Sequence, residues 1–126
     1  MRFGEAYGVH AGPIWFIGFA SEQRSAQVVF DAARPDAPTK FLLRSDGPLA
    51  EPIRISGRYC TDSTALRFEY ALASEADGTI VVPQSSQAIA EPGYIFFSRP
   101  GRWLVEVRAD GRFAGNVVFE ATTTTP

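Results

Sequence analysis

Cysteine, histidine and lysine each occur once among the 126 residues, as Cys60, His10 and Lys40. A single cysteine forms no internal disulfide, and a four-ligand zinc site would have to be built around Cys60 and His10 alone, which excludes structural zinc. The chain lacks any run of 18 apolar residues, so no membrane-spanning helix is expected, and it has no basic-then-apolar leader with a small-residue cleavage site. A leader already removed would leave no trace. Basic residues are not in excess: 12 Lys and Arg stand against 14 Asp and Glu, a formal net charge of −2. General nucleic-acid binding, which draws on a basic face that neutralises several phosphates, is therefore not expected. Also missing are a Gly-x-Ser-x-Gly elbow, a glycine-rich phosphate loop and an acid-rich calcium loop. No cofactor and no metal are expected.

What is present is 45% hydrophobic residues, enough at this length to bury roughly two thirds of the unfolded chain's surface in one core. One domain over residues 1–121 is expected, with a Thr-rich tail at 122–126. Eleven glycines and nine prolines punctuate short runs rich in Val, Ile, Phe, Tyr and Thr, the rhythm of an all-β domain. Nine runs stand out: Gly12 to Ala20, Gln27 to Ala32, Thr39 to Ser45, Pro52 to Cys60, Ala65 to Ala73, Thr79 to Pro83, Gly93 to Ser98, Arg102 to Ala109 and Phe113 to Ala121. The stretch before Gly12 has no pattern. Ala65 to Ala76 has helix-favouring composition, but Leu66, Phe68, Tyr70 and Leu72 alternate with polar or small neighbours, the period of a half-buried strand. Ser21 to Ala26 is a candidate helical turn capped by Ser21.

Two turns, Ala76-Asp77-Gly78 and Ala109-Asp110-Gly111, fit three-residue hairpin loops with glycine in the left-handed position. The second loop sets Arg108 opposite Arg112, and Val107, Val105 and Trp103 opposite Phe113, Gly115 and Val117, so the apolar residues share a face. A two-residue loop would set Val105 opposite Asn116 and scatter them. The first loop places Ile80 and Val82 beside Leu72, Tyr70 and Phe68. Asp62 and Ser63 are turn formers for a connection from Cys60 to Ala65.

The segment Ser98-Arg99-Pro100-Gly101-Arg102-Trp103-Leu104-Val105 resembles the start of strand F in immunoglobulin-like sandwiches, where Gly-x-aromatic-x-Cys is the familiar pattern. It is also similar to a group of bacterial extracytoplasmic domains with a Pro-Gly-x-Trp turn before the last hairpin. The resemblance covers the last third of the chain well and the rest only as strand rhythm. It implies an immunoglobulin-like antiparallel β-sandwich of about seven to nine strands with Greek-key connections. In it Gly101 permits a sharp corner, Trp103 fills the end of the core, and Val105 replaces the disulfide cysteine. No chemistry follows, because such sandwiches host many unrelated functions.

Candidate reactive groups are few. His10 as a base or copper ligand lies in a Gly-rich terminal stretch with no partner motif, and solvent exposure is its ordinary reading. Cys60, two residues from Arg58, would be reactive if a cation lowered its pKa; a buried or edge-lying small hydrophobe is the simpler reading. Arg54, Arg58, Arg67, Arg102 and Arg108 project from polar strand faces, as a local anion surface or as a solvated face diluted by Glu69 and Glu106. The chain is expected not to be an enzyme; a small copper- or thiol-dependent one is the remote alternative.

Two runs are apolar on both sides. In Ile14-Trp15-Phe16-Ile17-Gly18-Phe19, Ile14 and Phe16 lie opposite Trp15, Ile17 and Phe19; in Tyr94-Ile95-Phe96-Phe97, Tyr94 and Phe96 lie opposite Ile95 and Phe97. A sandwich strand wets one face, so one side of each is either covered, for instance by the loop from Pro83 to Pro92, or forms an aromatic surface. Trp15, Phe19, Tyr94 and Phe96 are thus the candidate binding residues. The expected function is a non-catalytic binding or structural module of a bacterial extracytoplasmic protein, secreted, periplasmic or surface-anchored. It acts through a protein partner or self-association, with carbohydrate binding as the alternative.

Overall fold

The computed structural model describes residues 2–3, 6–19, 26–31, 33–34, 37–70 and 78–123. Among them run eleven strands: β1 (Arg2–Phe3), β2 (Ala6–Ala11), β3 (Ile14–Phe19), β4 (Ala26–Phe30), β5 (Thr39–Ser45), β6 (Ile53–Tyr59), β7 (Ala65–Tyr70), β8 (Ile80–Val82), β9 (Ala90–Phe96), β10 (Gly101–Ala109) and β11 (Arg112–Thr123). The protein is all-β. Each of the nine alternating runs becomes a strand. The stretch before Gly12, read from sequence as patternless, also does: β2 pairs with β3, with His10 opposite Trp15 and Ala11 opposite Ile14, and its Tyr7, Val9 and Ala11 pack on the core. Residues 21–25 and 71–77, where the helical turn and the first hairpin loop were expected, lie outside the described residues.

The strands form one sheet in the order β1-β2-β3-β5-β9-β7-β6-β10-β11-β4, with β8 attached to β6. All pairs are antiparallel except β11 with β4, which is parallel, so the sheet is mixed and nearly closed into a barrel. This is broader than the expected antiparallel sandwich, and Greek-key connections are not shown. The seam is β7. Its start pairs with β6, Leu66 opposite Gly57, and from Arg67 it pairs with β9, Arg67 opposite Phe96. One strand therefore serves both halves, where a sandwich would have two separate sheets. β8 pairs with β6 (Ile53 opposite Val82) rather than forming the expected ladder with β7, although the Phe68 amide donates to the Gly78 carbonyl at 2.9 Å.

The core lies between the two halves. Phe119 on β11 meets Phe16 and Phe41, on β3 and β5, edge to face at 5.6 and 5.5 Å, and Phe97 joins it to Trp103. Burying each such side chain contributes about 1.5–3 kcal/mol over leaving it exposed. The aromatic pairs add edge-to-face attraction.

The β10–β11 hairpin corrects the expected register. Asp110 and Gly111 form a two-residue loop, both with positive φ (53° and 78°), and Ala109 pairs with Arg112. That loop alone would put Val105 opposite Asn116. The structure instead inserts one extra residue: Arg108 pairs with Phe113 but Val107 with Gly115, so Ala114 is a bulge and Val105 meets Val117, Trp103 meets Phe119. The bulge shifts the ladder by one, so the apolar partners stay together by a different route. Its cost falls on Phe113, which is turned to Arg108's side and is 58% exposed.

Two glycines meet where the sheet folds over itself. The β2–β3 turn has Gly12 at φ 57° followed by Pro13, a pattern suited to a tight hairpin. A Cβ on Gly115 would lie 2.2 Å from the Gly12 nitrogen, and one on Gly12 would lie 2.8 Å from the Ala114 carbonyl oxygen. The bulge and the turn approach as bare backbone, so only glycine fits at 115.

The corner before β10 forms around Gly101 as the resemblance implied. Gly101 has φ 128°, and a Cβ there would strike the Tyr59 hydroxyl. That hydroxyl donates to the Pro100 carbonyl at 2.9 Å, and the Trp103 indole donates to the Arg99 carbonyl at 3.2 Å with its ring fully buried. Arg99 lies over the Tyr59 ring at 3.8 Å and pairs with Asp62. The Cys60–Ala65 connection turns as expected: the Thr64 amide donates to the Asp62 carboxylate at 2.9 Å. β11 continues through Thr122 and Thr123, which pair with Val29 and Phe30.

Candidate binding face

Alternation decides which side chains leave the core. On β5, Phe41, Leu43 and Ser45 are buried, while Lys40, Leu42 and Arg44 face outward. On β9, Gly93 and Ile95 face inward, and Pro92, Tyr94 and Phe96 outward. Trp15 on β3 pairs with Arg44 and is also outward, half-buried. The structure thus brings Trp15, Tyr94 and Phe96 onto one outer face. With strands ~4.8 Å apart and ~3.4 Å per residue, Trp15 and Tyr94 stand roughly 16 Å apart on it. Phe19 pairs with Tyr7 in the β2–β3 ladder; its side chain lies outside the described residues.

Two of the rings are held by their own molecule. The Trp15 indole donates to Asp46 at 3.0 Å, and the His10 ring packs on it at 4.8 Å. The Arg67 guanidinium lies 4.3 Å from the Phe96 ring centre, and Arg67 also pairs with Glu69 at 3.2 Å. The 83–89 segment is tied to the turn after β5: Leu49 bridges Ser85, and the Ile89 amide donates to the Ser45 hydroxyl at 2.9 Å. Covering groups therefore come from β2 and β7, a source that the local sequence around these aromatics does not announce.

Between the rings runs a strip that sequence reasoning passed over. Leu42, 38% exposed, pairs with Pro92 on one side and with Ile17 on the other. Leu42 follows the outward parity of Lys40 and Arg44, and that alternation was the available signal. Next to it, Lys40, Tyr94 and Glu69 form one cross-strand row over β5, β9 and β7.

The outer face of the other half is different. Arg102 pairs with Glu120 at 3.7 Å, Arg108 with Glu106 at 3.5 Å, and Arg112 with Glu51 at 3.1 Å. β7 does lie beside β6, with Ala65 opposite Arg58, but Arg67 falls past the seam, opposite Phe96 of β9. A dimple lined by Ser56, Gly57, Arg58, Leu104 and Glu106 offers about 60 Å³, room for a water or two but not for a sugar ring. Cys60 is exposed, against the expectation of a buried or edge-lying hydrophobe, because it follows Tyr59 in the turn that leaves β6. Among the described residues no group of three or more His, Cys, Asp or Glu is placed to hold a metal ion, and no helix is long and apolar enough to cross a membrane.

With this geometry in view, the fold can be set beside solved structures. A "putative lipoprotein" of Bacillus anthracis, known from a crystal structure, is similar with a TM-score of 0.54 over 96% of this chain and 87% of that one. At 12% identity the likeness concerns the fold alone. No protein-family model and no curated protein sequence matches the chain.

Proposed function

We propose that this protein is a non-catalytic binding or structural module of a bacterial extracytoplasmic protein, acting through protein contact on the outer face of β3, β5, β9 and β7. The observation that carries this reading is the placement of Trp15, Leu42, Pro92, Tyr94 and Phe96 on one side of one sheet, where a wetted face would be polar. The similar fold of the Bacillus anthracis protein supports the compartment. The immunoglobulin-like reading of the fold is supported by the Gly101 corner with Trp103 sealed beneath it.

The non-catalytic reading is supported by the surroundings of the two candidate reactive groups. His10 packs on Trp15, and Cys60 sits in an exposed turn. Trp15→Ser and Phe96→Ser test the assignment: each should weaken binding to the partner while the circular dichroism and the melting profile remain those of a folded chain. Collapse of the fold in both would assign these rings to structural support.

Carbohydrate binding is the second reading, favoured by the half-exposed Tyr94 beside polar Lys40 and Glu69. Titration of the tryptophan fluorescence with soluble polysaccharides separates the two, since Trp15 is on this face and Trp103 is sealed in the core. An unchanged spectrum with every glycan removes the sugar reading.

A further inference from the structure

We propose that the outer face of β5, β9 and β7 binds a second copy of this chain, face to face, about a twofold axis running along β9; this rests on the binding-face reading above. The argument begins with charge order. In the row Lys40, Tyr94, Glu69 a cation and an anion flank one ring, a strand's width to either side. A twofold axis parallel to the strands turns this row end for end. Lys40 then lies over the partner's Glu69, Glu69 over the partner's Lys40, and Tyr94 over the partner's Tyr94. An axis across the strands would instead set lysine on lysine and glutamate on glutamate. A homodimeric contact must be self-complementary, and only the first axis makes it so.

The same axis suits the apolar groups. Pro92, Tyr94 and Phe96 alternate along β9 on the outward side and form a central spine that the axis lays against its own counterpart. Leu42 on β5 widens the spine beside Pro92. Arg67 is already drawn onto the Phe96 ring and Glu69, which limits its repulsion at the rim. Lys40 is the only lysine in the chain, and it stands at the one position of this row where its charge answers Glu69.

The size of the face sets the strength. Three strands ~4.8 Å apart and about six residues long give roughly 300 Å² a side, well under half the usual area of a stable interface. A face this small implies a weak dimer, populated in the upper part of the range from about 10 μM to 1 mM.

Sedimentation and light scattering of the full chain, from about 10 μM to 1 mM, decide the matter. The mass should rise from 13.7 kDa towards twice that value. Lys40→Glu and Glu69→Lys should each weaken association at least tenfold, and the double exchange should restore it, because the reversed charges again face each other. Lys40 is exposed, so Lys40→Glu should keep the wild-type melting profile, while Glu69→Lys gives up the Arg67 pair and should lower the melting temperature only as far as the loss of one exposed pair does. A wild type that remains monomeric at 1 mM, or a double exchange that associates no better than the single ones, overturns the proposal. If the wild type is monomeric but Trp15→Ser and Phe96→Ser still lose a different partner, self-association fails while the binding face stands.

Discussion

The outer face of β6, β10 and β11 and the outer face of β3, β5 and β9 start from the same rule and end differently. Both belong to strands whose alternate residues are buried. On the first, arginines meet glutamates across or along the strands: Arg102 with Glu120, Arg108 with Glu106. Such exposed pairs contribute little stability, and their charges are satisfied within one molecule. On the second, Trp15, Leu42, Pro92 and Tyr94 take the corresponding outward places, and Arg67 caps an aromatic ring. The other half has exposed apolar groups too, Phe113, Val81 and Val29, but they sit on separate strands, whereas the aromatic rings of the second face share one side of β3 and β9; this is why the second face is the one proposed as a binding site.

Substitutions sharpen this contrast by separating residues that hold the fold from residues that only decorate it. Trp103→Ala should cost the most, about 3–5 kcal/mol, since it empties a fully buried site at the end of the core; urea unfolding measures it. Gly115→Val comes next at about 1–3 kcal/mol or more, because the new side chain meets the Gly12 backbone and the closure over β2 must shift. A normal melt for that variant would show the close approach to be dispensable. Tyr94→Ser should fall below about 1 kcal/mol in stability yet weaken association, the reverse of Trp103. Arg102→Ala should change stability by no more than about 0.5 kcal/mol and leave association alone, as befits a solvated pair.

Acid supplies a further contrast within the corner before β10. The Thr64 amide bond, the Arg99 bond and the Thr64 hydroxyl lower the Asp62 pKa from 3.8 to about 2. The folded state therefore holds this proton less tightly than the unfolded chain. Its contribution is complete above pH 4 and is lost as pH falls from about 4 through 2. Asp62→Asn should lower stability at neutral pH and flatten the loss in that window. An acid profile of Asp62→Asn identical to that of the wild type would remove the special standing of the Arg99–Asp62 contact.

Strand identity was legible because it depends on local alternation: Thr39 to Ser45 becomes β5 without adjustment. Strand partners were not, because pairing is a tertiary choice. Nothing around Val28 announces a parallel partner in β11, and nothing in Leu66 to Tyr70 shows that the strand changes neighbours at Arg67. β2 was missed because its alternation, Tyr7, Val9 and Ala11 against Gly8 and His10, is short and interrupted by glycine, and the pairing edge of β3 supplies the order. For the candidate site, sequence parity located Trp15, Tyr94 and Phe96 on outward positions. The rings' local covers, His10 and Arg67, came from strands distant in sequence.

The extra residue at Ala114 makes turn length and strand length interchangeable in this hairpin. Lengthening the Asp110-Gly111 loop by one residue while deleting Ala114 would leave Val107 opposite Gly115 and Trp103 opposite Phe119. Related chains are then free to carry the odd residue at either place, and a single-residue gap wandering between the tip and the shaft of this hairpin would be one solution to the same phase problem, written twice.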